Sequence, residues 1–479
     1  MSKLAARTSG TALDLRRHDD EMVEMSTSTD PRDTSAIGKN PIRRNPTGQL
    51  IRALMAVVQT PFVQNRGLQD LVNRVAYEGT KTGFKALGAA NRTFKVVAGT
   101  GKPKRLASST KSNYDLTPDD EQQMIVDTVK DFAAEIVRPA AFDADAATEA
   151  PESLLGRATE LGITMINVPE ELDGAGSDRG TVTNALVASA LAHGDMGLAL
   201  PILAPSGVAV TLAQFGSDGQ QQTYLTEYAG ESVPQSSVVI AEPGALFNPF
   251  ALATKATRTS GGYVLSGVKS MVPQAGSAEL FVVGAELDGK PALFIVESGT
   301  DGVIVEGDPS MGLRAASLGR LNLNNVKVPA TALLGEVDLD TAAQNYTDVV
   351  RLARLGWSAL ALGTSRAVLD YVTPYVKERE AFGEPIAHRQ AVAFAVADMA
   401  TEIEGLELLV WRGASRAEQG LSFGREAALA RKFATDKGMR IGLDGVQLLG
   451  GHGFTKEHPV ERWYRDLRAV GIAEGVVVL

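Results

Sequence analysis

The residue types that could do chemistry in this sequence exclude several reactions at once. No cysteine occurs among its 479 residues, which excludes disulfides, thiolate metal sites and a cysteine nucleophile. None of the five histidines falls in an HxxxH or HExxH spacing, so the helical histidine pairs that hold catalytic zinc are missing and no metal site is expected. Carboxylate, guanidinium and glycine chemistry remain. A strip of Gly450, Gly451 and Gly453 could let a phosphate approach the backbone, because glycine carries no Cβ. The same strip reads equally as a helix C-cap and turn. Arg354, on a helical stretch, could face a binding pocket or pair with an acid in helix packing. Glu474 and Gly475, taken alone, read as a surface carboxylate beside a flexible residue.

These residues need elements to position them, and the composition provides for a large core. Hydrophobic residues make up 44% and charged residues 22% of the chain, values of an ordinary globular protein long enough for more than one domain. The net charge of −10 hides an asymmetry. From 41 to 112 run Arg43, Arg44, Arg52, Arg66, Arg74, Lys81, Lys85, Arg92, Lys95, Lys102, Lys104, Arg105 and Lys111, against only Asp70 and Glu78. A basic arm with its own partner and an acidic body are expected. No uninterrupted apolar run reads as long enough to span a bilayer, and the amino-terminal stretch lacks the apolar centre of a secretory signal. A cytoplasmic location follows, with peripheral membrane contact through the arm as an option.

Residues 1–48 are polar and broken by Pro31, Pro41 and Pro46, so disorder is expected there. Residues 49–113 read as a basic amphipathic helical extension and linker, suited either to a membrane surface, to a protein, or to packing on its own body. From 114 to 232 the spacing predicts helices, at 118–138, 152–161, 179–194, 205–215 and 218–229, the first capped by Thr117 with Pro118 in its first turn. From 233 to 337 short β-branched runs separated by turn residues predict strands, with turns at Gly261–Gly262 and Asp288–Gly289. From 338 to 479 the helical period returns. The order predicts an α+β protein, mainly α: a helical domain, a middle β-domain and a C-terminal four-helix-bundle domain.

Three stretches in register resemble the acyl-CoA dehydrogenase family. Arg354 to Gln390, RLGWSALALGTSRAVLDYVTPYVKEREAFGEPIAHRQ, is similar to that family's Arg-x(8)-Gly…Tyr-x-x-x-Arg-x-x-Phe-Gly…Gln pattern. Gln447 to Asp466, QLLGGHGFTKEHPVERWYRD, resembles its Gln-x-x-Gly-Gly-x-Gly-Phe…Pro-Val-Glu…Arg-Asp run. Glu474–Gly475 stands where the family places its catalytic Glu-Gly. The resemblance covers about residues 114–475 and implies FAD-dependent removal of two hydrogens from the Cα–Cβ bond of an acyl-CoA.

In that chemistry a base takes the α-proton and the flavin takes a hydride. A carboxylate brought into a dry slot is a stronger base. The resemblance makes Glu474 that base and its backbone N–H a donor to the thioester oxygen. Gly475 would allow close approach, and Arg354 would lie near the substrate. The alternative base beside the matched arginine is absent, since Ala353 and Leu355 flank it. For FAD, whose diphosphate suits arginine and backbone N–H groups, the resemblance implies Arg379, Glu380, Ala381, Phe382, Gln390, Gln447, Leu448, Leu449, Gly450 and Gly451. Arg379 would reach the FAD of a neighbouring subunit, implying a homodimer or tetramer. An electron-transfer flavoprotein is the implied acceptor.

The β segment departs from the family. Where relatives read Thr-Glu-Pro-Gly-Ala-Gly-Ser-Asp, this chain reads Ala241-Glu242-Pro243-Gly244-Ala245-Leu246-Phe247-Asn248, placing Leu246 and Phe247 where FAD phosphate and the CoA arm would pass. Trp-Ile-Thr is replaced by Met271-Val272-Pro273, and Pro273 has no backbone N–H to offer. The sequence stops at Val476-Val477-Val478-Leu479, where relatives continue with Thr and another helix. Two expectations therefore stand together. One is an active dehydrogenase. The other is a weakly active or inactive dehydrogenase-like scaffold in a heteromeric, membrane-associated complex with a related chain. Nucleic-acid binding ranks below both.

Overall fold

The computed structural model describes residues 118–176, 180–230 and 232–479; the expected polar segment 1–48 and basic extension 49–113 lie outside the described residues. The first described helix, α1 (Asp120–Phe132), starts two residues later than the Thr117 cap predicts. Asp119 is the cap: its side chain accepts from the Gln122 backbone N–H while the Gln122 side chain accepts from the Asp119 N–H. This reciprocal pair satisfies two otherwise unpaired donors at the helix start; Thr117 lies outside the described residues. A π-helical turn over Ala133–Val137 carries α1 into α2 (Arg138–Ala147). Then follow α3 (Glu152–Glu160), α4 (Thr181–Gly194), α5 (Met196–Phe215) and α6 (Asp218–Tyr228).

Helix α5 corrects two expectations. Its 20 residues begin at Met196 rather than at 205, and run through Pro201 and Pro205. Proline weakens a helix interior, but packing overrides propensity when nearly every side chain is buried. By length and composition this helix could also cross a bilayer, contrary to the reading of the sequence; yet 94% of its apolar window is buried inside the protein. It is the core helix of the first helical layer.

The middle layer is a sheet of β1 (Ser236–Val239), β2 (Lys255–Thr259), β3 (Gly262–Val272), β4 (Leu280–Leu287), β5 (Lys290–Glu297), β6 (Val303–Gly307) and β7 (Gly319–Pro329). The path runs β1-β4-β2-β3-β7-β6, with β5 added antiparallel to β4. β4 and β5 join through Asp288 and Gly289, both at positive φ (49° and 84°), the hand that a two-residue hairpin turn requires. β2 went unrecognised in the sequence because its residues are polar and mostly exposed.

The last layer contains three long helices and a short fourth: α7 (Leu339–Glu378), α8 (Gln390–Glu418), α9 (Gly424–Leu449) and α10 (Val460–Leu467). A two-stranded hairpin, β8 (Glu380–Ala381) and β9 (Glu384–Pro385), joins α7 to α8. Helix α7 has 40 residues and is about 60 Å long at 1.5 Å per residue. Its buried face packs on α4, α8 and α9. It therefore carries Arg354 within its length and Arg379 at its end.

Candidate active site

Glu474 lies beyond α10, after a 3-10 turn over Arg468–Gly471. Hydrogen bonds on both sides fix its place. Arg431 of α9 donates to the Ala473 carbonyl, and Trp357 of α7 donates from Nε1 to the Gly475 carbonyl at 2.9 Å. The Val476 N–H then donates to the Val238 carbonyl at 2.8 Å, making Gly475 an antiparallel bridge partner of Val239 in β1. Gly475 takes φ 78°, and a Cβ there would stand 2.6 Å from the Val238 oxygen. Both facts demand glycine.

So held, the Glu474 carboxylate is 7% exposed and faces Arg354. The Arg354 Nε lies 3.1 Å from each carboxylate oxygen, and its Nη2 donates to Oε1 at 2.7 Å. A second guanidinium, Arg431, stands 3.7 Å from Oε1. Arg431 is buried, and burial pushes its pKa down to about 10, although the Glu474 charge opposes that shift and the Arg354 charge reinforces it. Its Nη1 has no hydrogen-bond partner among the described residues. One carboxylate between two arginines offsets the desolvation that a lone buried charge would suffer.

Aromatic groups close the site. Phe250 lies under the Arg354 guanidinium, 5.7 Å from carbon to ring centroid, and meets the buried Tyr346 edge to face at 6.5 Å. Tyr346 donates to the Pro249 carbonyl. Its pKa is raised well above the ordinary phenol value by burial, then by the negative charges of Glu474 and Glu242.

The predicted pair Arg354 and Glu474, 120 residues apart in sequence, is thus brought together, and Gly475 sits at its edge. Arg431, Tyr346, Phe250 and Trp357 were missed. Tyr346 and Trp357 share α7 with Arg354, while Arg431 comes from α9 and Phe250 from the segment between β1 and β2, so only the fold gathers them.

The expected cofactor residues gather elsewhere on the C-terminal helices. A groove of about 910 Å³ is lined by Arg379, Ala381 and Phe382 from the end of α7 and its hairpin, and by Gln447, Leu448, Leu449, Gly450 and Gly451 from the end of α9. Arg389 and Arg440 join them, unforeseen from the sequence. Added Cβ atoms at Gly450 and Gly451 would meet nothing within 4 Å, whereas one at Gly453 would stand 2.3 Å from the Val446 oxygen; Gly450, at φ 59°, is also the C-cap of α9. Glu380 and Gln390 are exposed and are not among the groove-lining residues: Glu380 pairs with Pro385 in the hairpin, and Gln390 opens α8. Phe382, at φ 59° and 97% exposed, projects from the hairpin with the Arg389 guanidinium 5.9 Å from its ring.

In the β-domain, Leu246 is fully exposed at φ 60°, and Phe247 is partly buried against a hydrophobic core cluster. Glu242, from the altered segment, accepts from the Ala253 and Thr254 N–H groups and from the buried Lys269 at 2.9 Å. A further cluster, His452, Glu457 and His458, brings one ligand atom from each residue within 4.8 Å of the others. His458 Nδ1 there already meets the Tyr371 hydroxyl at 2.6 Å.

Comparison with known proteins agrees with this architecture. Family models for acyl-CoA dehydrogenase match as an N-terminal domain over residues 119–232, a middle domain over 237–326 and a C-terminal domain over 346–477. An acyl-CoA dehydrogenase of Bacillus subtilis is 32% identical across 74% of this chain and 94% of its own length. The mitochondrial short-chain specific acyl-CoA dehydrogenase of Bos taurus is 32% identical, across 74% and 86% respectively. The solved butyryl-CoA dehydrogenase of Megasphaera elsdenii superposes with a TM-score of 0.68 at 30% identity, covering 75% of this chain and 95% of that one. With all three domains matched in order, and relatives above 30% identity spanned nearly end to end, this chain belongs to the acyl-CoA dehydrogenase family.

Proposed function

We propose that this protein dehydrogenates an acyl-CoA thioester at its Cα–Cβ bond, with Glu474 as the base and FAD as the cofactor. The observation that carries the reading is the buried Glu474 carboxylate, fixed by backbone bonds on both sides and met by Arg354 and Arg431. A base so fixed loses little entropy on meeting its proton. Glu474 takes the α-proton onto a carboxylate oxygen. The two guanidiniums orient that carboxylate, and Phe250 and Tyr346 keep water from it. The Glu474 N–H serves the thioester oxygen, where charge develops as the proton leaves.

The groove at the end of α7 and α9 fits FAD. Arg379, Arg389 and Arg440 offer guanidiniums for a diphosphate, and Gly450 and Gly451 leave its wall open. When bound, FAD supplies the two-electron acceptor for the β-hydride. An electron-transfer flavoprotein then suits as the next acceptor. Arg379 on the groove's wall suits reaching the FAD of a neighbouring subunit, as the family resemblance implies, so the working unit is at least a homodimer.

The test is the visible spectrum of the purified protein before and after butyryl-CoA. Flavin bands that bleach on addition support the reading. A colourless protein that takes up no added FAD would refute it and favour a dehydrogenase-like scaffold.

A further inference from the structure

Two of the chain's five histidines meet at the turn between α9 and α10. His452 sits in the 3-10 turn Gly450–Phe454, and His458 stands directly before Pro459, the N-cap of α10. The His452 carbonyl accepts twice from Thr455, from its N–H at 3.1 Å and from its hydroxyl at 2.8 Å. The chain doubles back there and brings the Glu457 Oε2 to 3.8 Å from the His452 Nδ1. One ligand atom each from His452, Glu457 and His458 then lies within 4.8 Å of the other two.

His458 is the anchored member of the three. Its Nδ1 meets the Tyr371 hydroxyl of α7 at 2.6 Å. Its ring stands edge to face against Tyr371 at 5.9 Å and against Tyr375 at 5.8 Å. Tyr371 packs in turn on the buried Trp463. In the tautomer whose Nδ1–H donates to the tyrosine oxygen, the Nε2 lone pair is left for an ion, and metal-binding histidines are commonly fixed by an outer bond of this kind. The side chains of His452 and Glu457 are 49% and 74% exposed, so they can turn towards it. Ligand atoms around a tetrahedral zinc lie about 3.4 Å apart, so a pair separated by 4.8 Å closes with a movement of about 1.4 Å.

We propose that His452, Glu457 and His458 bind a divalent first-row transition metal ion of the zinc class, with Tyr371 as the residue that positions His458. Two imidazoles and a carboxylate suit such ions, whereas magnesium and calcium ask for oxygen ligands. Three protein ligands leave a fourth position to water. A search for helical histidine pairs misses this site, because its histidines stand six residues apart across a turn rather than on one helix face. His452 and Tyr375 also line the groove that carries Gly450 and Gly451, so the ion lies at the groove's rim and links the turn to α7. The site depends neither on Glu474 nor on bound FAD.

The full chain, stripped of metal with a chelator that is then dialysed away, is titrated calorimetrically with zinc chloride and separately with magnesium chloride. The same titrations are run on His452→Gln, Glu457→Gln, Tyr371→Phe and His388→Gln. His388 is an exposed histidine paired with Glu384 at 3.3 Å and reports scattered surface binding. The ligand substitutions at exposed His452 and Glu457 spare the core, and circular dichroism verifies the fold of each variant. We expect one zinc per chain and no magnesium, with zinc affinity weaker by about tenfold or more in the first three variants and within about threefold in His388→Gln. Zinc should also raise the thermal unfolding midpoint of the unaltered chain and leave that of His452→Gln in place, because an ion held only by the folded form stabilises it. No zinc binding by the unaltered chain, or equal affinity in the unaltered chain, His452→Gln and Glu457→Gln, would overturn the site. A loss in His388→Gln as large as that in His452→Gln would mark scattered surface binding and overturn it as well. Unchanged affinity in Tyr371→Phe would overturn the positioning role of Tyr371.

Discussion

Replacing Glu474 by glutamine removes the charge at the site while nearly keeping its shape. The amide can still occupy the place fixed by the bonds around Ala473, Gly475 and Val476, but it cannot take a proton from carbon. Loss of a positioned general base lowers the rate of that step by about 10²–10⁴. The substitution also leaves Arg354, with its contacts of 3.1, 3.1 and 2.7 Å, and the more deeply buried Arg431 facing a neutral group. Breaking a buried ion pair from one side costs about 3–5 kcal/mol; the value here belongs at the lower end, because Arg354 is 23% exposed on its side chain. The groove that suits FAD shares no lining residue with this cluster, so flavin content should hold. Anaerobic rapid mixing with butyryl-CoA, followed at the flavin band, measures the rate, and urea unfolding measures the stability. Flavin reduction within about threefold of the unaltered rate would refute Glu474 as the base. An unchanged unfolding midpoint would refute the ion-pair argument.

Two further outcomes follow from buried charges outside the site. Lys269 is fully buried against Glu242, and burial pushes its pKa down to about 8. Lys269→Met should cost about 3–5 kcal/mol by leaving the Glu242 carboxylate without its cation, and adding Glu242→Gln should recover part of that; urea unfolding of the single and double variants measures both. Asp466 is buried beside Asp195 and Arg462; burial first, and the Asp195 charge second, push its pKa up to about 8. Its Oδ1 accepts from the Leu313 N–H, and its Oδ2 has no partner among the described residues, as suits a protonated carboxyl. The folded state thus holds a proton that the unfolded chain releases near 3.8. Stability from this group is complete below that value and is lost as pH rises towards 8, with a slope of at most about 1.4 kcal/mol per pH unit. Asp466→Asn should flatten the stability profile between those limits, and an unchanged slope in pH-dependent urea unfolding would count against it.

Local spacing was enough to reveal the alternation of layers. Apolar residues at helical spacing, the β-branched runs from Ser236 onward and the Asp288–Gly289 turn each act within a few residues, so their signals survive without knowledge of the fold. Propensity failed where packing overrode it. The helix read as 205–215 in fact begins at Met196, running through Pro201 and Pro205 because its surroundings bury it. The polar strand β2 carried no alternation to read.

At the site, the sequence by itself picked out Glu474, Gly475, Arg354 and the groove residues from Arg379 to Gly451, through motifs whose members lie close together in the chain. Only the tertiary structure decided what each one faces. The Arg354–Glu474 pair spans 120 residues, Arg431 of α9 stands beside the same carboxylate, and Phe250 from the segment between β1 and β2 lies under Arg354. Only the fold, too, placed the apolar run Val476–Leu479 in the core between α5 and α7. Whether four aliphatic residues lie on a surface or in the core depends on which backbones leave room for them, and here Gly207 and Gly356 leave it.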